Sequence, residues 1–291
     1  MLTSYVFTKY FNTHNKNKKE VFKITHKYLS YIDDDALLSA IDIMYNKYSE
    51  VYSGFDYSHF TKNVIDPFQM LFDMHFTGIN VNEWISNEVA RQVGKSLSNA
   101  FGSFQESIIG LSSNYTQYPV GDPNAHGVDC ISNDQTVFAD IKNKYNTLNS
   151  NAQSALWDKL NKITEDFPDA TTYHVQIITN VNNKNNDSVS FNKTWKVSKK
   201  TDNKRIRLIS GDHFYNLVFN SPNAFKELVD ILPTVLDDYM TINKKERILD
   251  AGNMSLFMEL GNMTDNAGLG TDHWQFIKND MFKKYLGFQN K

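Results

Sequence analysis

The chain of 291 residues is 41% hydrophobic and 22% charged, proportions that supply a sizeable buried core and exclude a disordered or low-complexity polymer. A formal net charge of −3 counts against a nonspecific coat for nucleic acid, so any basic surface must be local. Cys130 is the one cysteine, which excludes an internal disulfide and a cysteine-cluster zinc site, and no stretch approaches the ~18 apolar residues of a membrane span. The opening MLTSYVFTKYFN lacks a basic segment followed by a long apolar run, and a soluble cytoplasmic protein is the expectation.

Residues 18–112 repeat apolar side chains every third or fourth position, as in ALLSAIDIM at 36–44, and read as helical. Asp33, Asp34 and Asp35 suit a helix start, where carboxylates cap free N–H groups, better than a metal site. Asp66-Pro67 is a second helix start. A helix over 81–101 runs on into, or is followed directly by, 102–110. It places Ser103 and Glu106 one turn apart just ahead of the first strands. Glu106 there either points into a site or is a solvated helix residue.

The segment GVDCISNDQTVFADIKNKYN, residues 127–146, concentrates the chemistry. Asp129 is placed on a first strand, Ser132-Asn133-Asp134 forms a turn, and Thr136 to Ala139 returns as the second strand of a hairpin. Side chains alternate along a strand, so Asp140 and Lys142 share one face while Ile141 enters the core. Two carboxylates and an ammonium then converge. That set suits phosphodiester cleavage: hard oxygens hold Mg²⁺, and Lys142 orients or helps deprotonate water. An acid-x-Lys tripeptide alone is common on solvated strand edges; the apolar Val137-Phe138-Ala139 before it argues for a buried strand with a charged end. Cys130 reads as a buried filler and His126 as a loop residue that touches phosphate or does nothing.

Residues 150–166 form a helix ended by Pro168, and YHVQIIT at 173–179 a buried strand; strand, helix, strand implies a crossover and a parallel pair. Seven basic residues crowd 193–207, opposed only by Asp202, and read as a strand pair turning at Thr201-Asp202-Asn203. Lys199 and Lys200 are candidate phosphate contacts, Arg205 and Arg207 candidate readers of guanine. Residues 205–210 are another strand, 214–219 a short apolar element, 223–240 and 245–260 helices, and the last thirty or so residues less regular. Gly268-Leu269-Gly270 is a turn, and His273 and Trp274 are packing residues. The expected division is a helical region 1–112, an α/β core 113–220 and a helical region 221–291.

The Asp129, Asp140, Lys142 constellation resembles the PD-(D/E)XK nuclease superfamily, with Val128 in place of the proline and Asp140 where Glu is commoner. The run IKNKYNT at 141–147, with NVIDPF at 63–68, NAFG at 99–102 and ISGDHFY at 209–215, resembles the type II restriction endonucleases that cut interrupted GGNCC-type sites; the likeness spans residues 63–238. It implies a PD-(D/E)XK core with a mixed central sheet flanked by helices, plus helical N-terminal and C-terminal elaborations. Mg²⁺ is implied as cofactor, held by Asp129, Asp140 and the Ile141 carbonyl. Lys142 acts on water, a Glu is expected on the preceding helix (Glu106, with Ser103 as the other occupant of that place), and Asn143, Lys144 and Asn146 lie near DNA. Double-stranded DNA as substrate, a homodimer and a DNA methyltransferase modifying the same site are implied as partners. A repair or recombination nuclease on the same core, or a DNA-binding protein with an inert acidic pair, are the alternatives.

Overall fold

A computed structural model describes residues 28–53, 56–180, 190–248 and 252–280. They divide into two compact units, Met1–Asp42 with Phe101–Glu246 and Ile43–Ala100 with Arg247–Lys291. Both expected helical regions are therefore shared between the units, and residues 18–27 of the expected helical stretch lie outside the described residues.

The first unit is built on a six-stranded mixed sheet in the order β1-β2-β3-β4-β6-β5. Its strands are β1 (Tyr115–Gln117), β2 (Cys130–Ser132), β3 (Val137–Lys144), β4 (Thr171–Ile178), β5 (Asn192–Thr194) and β6 (Ile206–Ser210). The α/β class with flanking helices is thus present. The expected hairpin pairs Cys130 with Ala139 and Ile131 with Phe138. Its turn closes because Ser132 Oγ accepts the N–H groups of Thr136 and Val137 at 3.1 and 2.9 Å and donates to Asp134 at 2.6 Å. Asp129 stands one residue before β2, a small correction: its N–H still bonds Ala139 O at 2.9 Å, but the strand proper starts at Cys130.

β3 and β4 run parallel with Asp140 opposite His174, joined by the helix expected over 150–166, α5 (Ser150–Asp166). For orientation, α1 is Asp34–Ser53, α2 Tyr57–Lys62, α3 Pro67–Thr77 and α4 Val81–Ile109. The Asn149 side chain caps α5 by accepting the Ala152 N–H at 2.9 Å. Leu156, Trp157, Leu160 and Ile163 on its buried stripe pack with Phe138, Trp195 and Ile206. On the same face of β3, beyond Phe138, come Asp140 and Lys142. α6 (Gly211–Phe219) and α7 (Ala224–Ile242) follow β6. Tyr28 and Tyr239 tie α7 to the chain around the start of α1, through Asp238 at 2.7 Å and Asp42 at 2.5 Å.

In the second unit Phe60, Met70, Ile85, Leu256, Leu260 and Ile277 form a core of helices. Asp66 caps α3 with Pro67 in its first turn, as the dipeptide suggests. The helix expected over 245–260 is α8 (Gly252–Asn266); residues 245–248 are not helical, following the Asn243 cap of α7 and the left-handed φ of 50° at Lys244, and 249–251 lie outside the described residues. The expected irregular C-terminal stretch contains α9 (His273–Asp280), started by Asp272 accepting the Gln275 N–H at 2.9 Å and held by the burial of Phe276 and Ile277. Gly268 and Gly270 have the positive φ of turn residues, and His273 bonds Asn82 at 2.6 Å, as packing residues do. Among the described residues no helix is long and apolar enough to cross a membrane.

Gly211 is where α6 meets the sheet: a Cβ there would lie 2.6 Å from Ile177 O and 2.8 Å from Ile177 Cα, atoms of β4 that cannot swing aside. Gly211→Ala should therefore destabilise the protein by about 1–3 kcal/mol, read from urea melts, as overpacking against backbone does.

Candidate active site

The face of β3 that carries Phe138 beneath α5 delivers Asp140 and Lys142 at its open end, and the hairpin sets Asp129 beside them. Asp129 Oδ2 accepts the Ile141 N–H at 2.5 Å, so one oxygen of the first acid is fixed to the strand bearing the second. Asp140 is 5% exposed and lies between two ammonium groups: Lys142 Nζ at 2.6 Å from Oδ1 and Lys159 Nζ at 2.9 Å from Oδ2. Lys142 also reaches Asp129 Oδ2 at 3.7 Å and donates to the Ile141 carbonyl at 3.2 Å.

Electrostatics follow from this packing. Burial alone would raise the Asp140 carboxyl, but Lys142 and Lys159 outweigh it and hold the group below the ordinary carboxylate range. Asp129 moves the other way, raised by burial and by Asp140 against the pull of Lys142. Glu106, reaching the cluster from α4, is pushed up to about 7 by burial and by Asp129, with Lys142 opposing. Burial would lower Lys142, yet Asp140 and Asp129 raise it, so it stays charged. His174, opposite Asp140 on β4, is lowered to about 4 by burial, with Lys142 and Lys159 adding to the effect and Asp140 opposing. It is neutral at pH 7, its ring 4.7 Å from Trp195.

Among the described residues, no three His, Cys, Asp or Glu side chains converge as a ready ligand set for a metal ion. What converges is a pair of carboxylates and one carbonyl. Asp140 Oδ1 is buried, and what it meets is the Lys142 ammonium at 2.6 Å. Asp129 Oδ2, Asp140 Oδ1 and the Ile141 carbonyl thus all face one cationic group, and such hard oxygens fit a hard divalent cation.

The structure brings Asp129, Asp140 and Lys142 together, with Glu106 electrostatically coupled to them, while Ser103 lies exposed. Lys144 and Asn146 are exposed at the end of β3, and Asn143 is half-buried. Much of the basic run is engaged locally. Arg205 Nη1 donates to the carbonyls of Phe167, Pro168 and Ala170 at 3.3, 2.8 and 3.3 Å, closing the end of α5. Arg207 donates to the Asn192 carbonyl at 2.6 Å, and Lys200 binds both oxygens of Asp158 at 2.6 Å. The strand pair is β5 with β6, linked through residues 195–205. His126 packs edge-on against Phe138 and Phe167, and Cys130 is a buried free thiol that burial drives upward in pKa.

Lys159, His174 and Gln176, whose side-chain amide lies 3.4 Å from the His174 ring, were missed by sequence reasoning. A signal existed for each: Lys159 lies three and four positions from the buried Leu156 and Ile163, and His174 and Gln176 alternate with buried Tyr173 and Val175.

A model of the Eco47II restriction endonuclease family matches residues 29–241. The type II restriction enzyme Sau96I of Staphylococcus aureus is 36% identical over 248 residues, covering 81% of this chain and 89% of its own. The type II restriction enzyme Eco47II of Escherichia coli is 28% identical over 214 residues, covering 72% and 87%. With the family match over most of its length, this chain belongs to the Eco47II restriction endonuclease family, as a type II site-specific deoxyribonuclease.

Proposed function

We propose that the enzyme is Mg²⁺-dependent, is built on the PD-(D/E)XK core, and hydrolyses both strands of double-stranded DNA at a short, GGNCC-like pseudo-palindrome. The observation that carries this reading is the convergence of Asp129, Asp140 and the Ile141 carbonyl on the Lys142 ammonium, with a third carboxyl, Glu106, electrostatically coupled to them. Mg²⁺ held by those three groups would offset charge on the attacked phosphate and acidify a bound water. Lys142 stays charged between the aspartates, so it orients water by donating hydrogen bonds; an ammonium has no lone pair with which to take a proton. Glu106, pushed up to about 7 by burial and by Asp129, is the carboxyl we assign to accept that proton. His174 is buried and neutral and supports the floor of the site beside Asp140.

Asn143, Lys144 and Asn146, following Lys142 on β3, are assigned to the DNA backbone or groove next to the scissile phosphate. A palindrome is cut in both strands by a two-fold symmetric pair, so the active form is a homodimer, and a DNA methyltransferase acting on the same site protects the host. In the basic run, Lys199 and Lys204 are exposed, whereas the Lys200 charge is met by Asp158.

Three outcomes are expected. Unmethylated plasmid with Mg²⁺ should give discrete bands that chelator abolishes, and Asp140→Asn or Lys142→Ala should cut about 10²–10⁴-fold more slowly. A smear would point to a structure-directed repair nuclease, and intact DNA with binding retained to an inert acidic pair. Lys199→Ala with Lys204→Ala should reduce the salt slope of DNA binding by about 1 for each phosphate these lysines neutralise, with Lys200→Ala changing it less; an unchanged slope in the double variant removes this segment from the interface. Glu106 has a folded-state pKa above the free value, so its favourable contribution is full at low pH and disappears as pH rises through about 7. In chelator, the melting-temperature advantage of Glu106→Gln over wild type should therefore grow from pH 5 to pH 8.

A further inference from the structure

Lys159 stands 19 residues beyond Asp140 and 32 beyond Gly127, on α5, yet its ammonium touches both. It donates to the Gly127 carbonyl and, at 2.9 Å, to Asp140 Oδ2. Its methylene stem crosses Gly127 so closely that a Cβ at 127 would lie 3.0 Å from Lys159 Cδ, and Gly127 itself has a left-handed φ of 77°. Gly127 is two residues ahead of Asp129. One side chain therefore ties the loop that brings in the first acid to the carboxylate of the second.

The two oxygens of Asp140 end up unlike one another. Oδ2 is hydrogen-bonded by Lys159 from α5, while Oδ1 is paired with Lys142 of the same strand, whose ammonium also touches Asp129 and the Ile141 carbonyl. A carboxylate turns readily about its terminal torsion, which is broad and roughly two-fold. A donor fixed from one side removes that freedom.

We propose that Lys159 is a positioning residue for the metal site: it holds Oδ2 of Asp140 so that Oδ1 alone faces the cation, and it pins the Asp129 loop in register through Gly127. This rests on the metal-nuclease reading above. Lys159 acts through Asp140, which it touches, and through Gly127 on the loop that carries Asp129. Such outer supports of metal ligands are worth roughly 10–100-fold in metal affinity or activity.

Two roles for a lysine beside a cation site have opposite signs. A charge that merely repels the metal would, when removed, let the metal bind more tightly. A positioning group would, when removed, let it bind more weakly even though the repulsion has gone. The test is Mn²⁺ binding to the DNA-free full chain, followed by loss of the free-ion electron paramagnetic resonance signal, for wild type, Lys159→Met, Lys159→Arg and Asp140→Asn.

Lys159→Met should weaken Mn²⁺ binding about 10–100-fold. Lys159→Arg, which keeps charge and donors, should recover most of that affinity. In cleavage assays Lys159→Met should need correspondingly more Mg²⁺ for half-maximal rate, with kcat at saturating Mg²⁺ largely kept. Unchanged or tighter Mn²⁺ binding by Lys159→Met overturns the proposal, as does a fall in kcat with no change in metal requirement. If Lys159→Met does not melt cooperatively, Lys159→Gln takes its place with the same expectations. Wild type that binds Mn²⁺ no better than Asp140→Asn would instead overturn the metal-nuclease reading, and this proposal with it.

Discussion

A carboxylate as deeply buried as Asp140 must be compensated, and the arrangement of the first unit can be understood as the means of doing so. Lys142 comes from the same strand and Lys159 from the crossover helix, so the charge is met from two directions. The hairpin adds Asp129, whose own charge is moderated by the Ile141 N–H. With Glu106 protonated, two carboxylates face two ammonium groups, and the cluster is close to neutral before any ligand arrives. Removing one member unbalances the charge on the others, which is why these positions are coupled and their substitutions should not be additive.

The same constraint explains the sheet. A parallel pair, β3 and β4, requires a crossover, and the crossover helix is the element that covers Phe138 and carries Lys159 above Asp140. Hydrophobic packing at one end of β3 and ion pairing at the other are thus two parts of a single docking of α5. Neutral His174 on β4 completes the floor without adding charge, since burial outweighs the attraction of Asp140.

The acids and Lys142 were legible because their relation is local: strand alternation puts residues 140 and 142 on one face, and a tight turn returns residue 129 to them. α5 and α3 were legible from their caps and prolines. Lys159 was not, because its role depends on how a helix settles on a sheet, which periodicity describes only as a face. The basic run shows what tertiary structure adds to composition. Seven cations in fifteen positions look like a surface for phosphate, but Arg205 is occupied with the carbonyls at the end of α5 and Arg207 with Asn192, contacts that only tertiary structure reveals. α9 escaped notice because its start depends on Asp272 and its stability on burying Phe276 and Ile277 in a core assembled from distant segments.

Cys130 sits fully buried in β2, next to Asp129, and is the one thiol in the chain. Sealed there, it cannot staple two copies together. The homodimer proposed above would be held by noncovalent contacts alone and would obey mass action: at low abundance the population of pairs would fall with the square of the subunit concentration. For such a pair, with two strands to sever, dilution itself would then act as a restraint, sparing DNA until enough subunits had accumulated to meet on it.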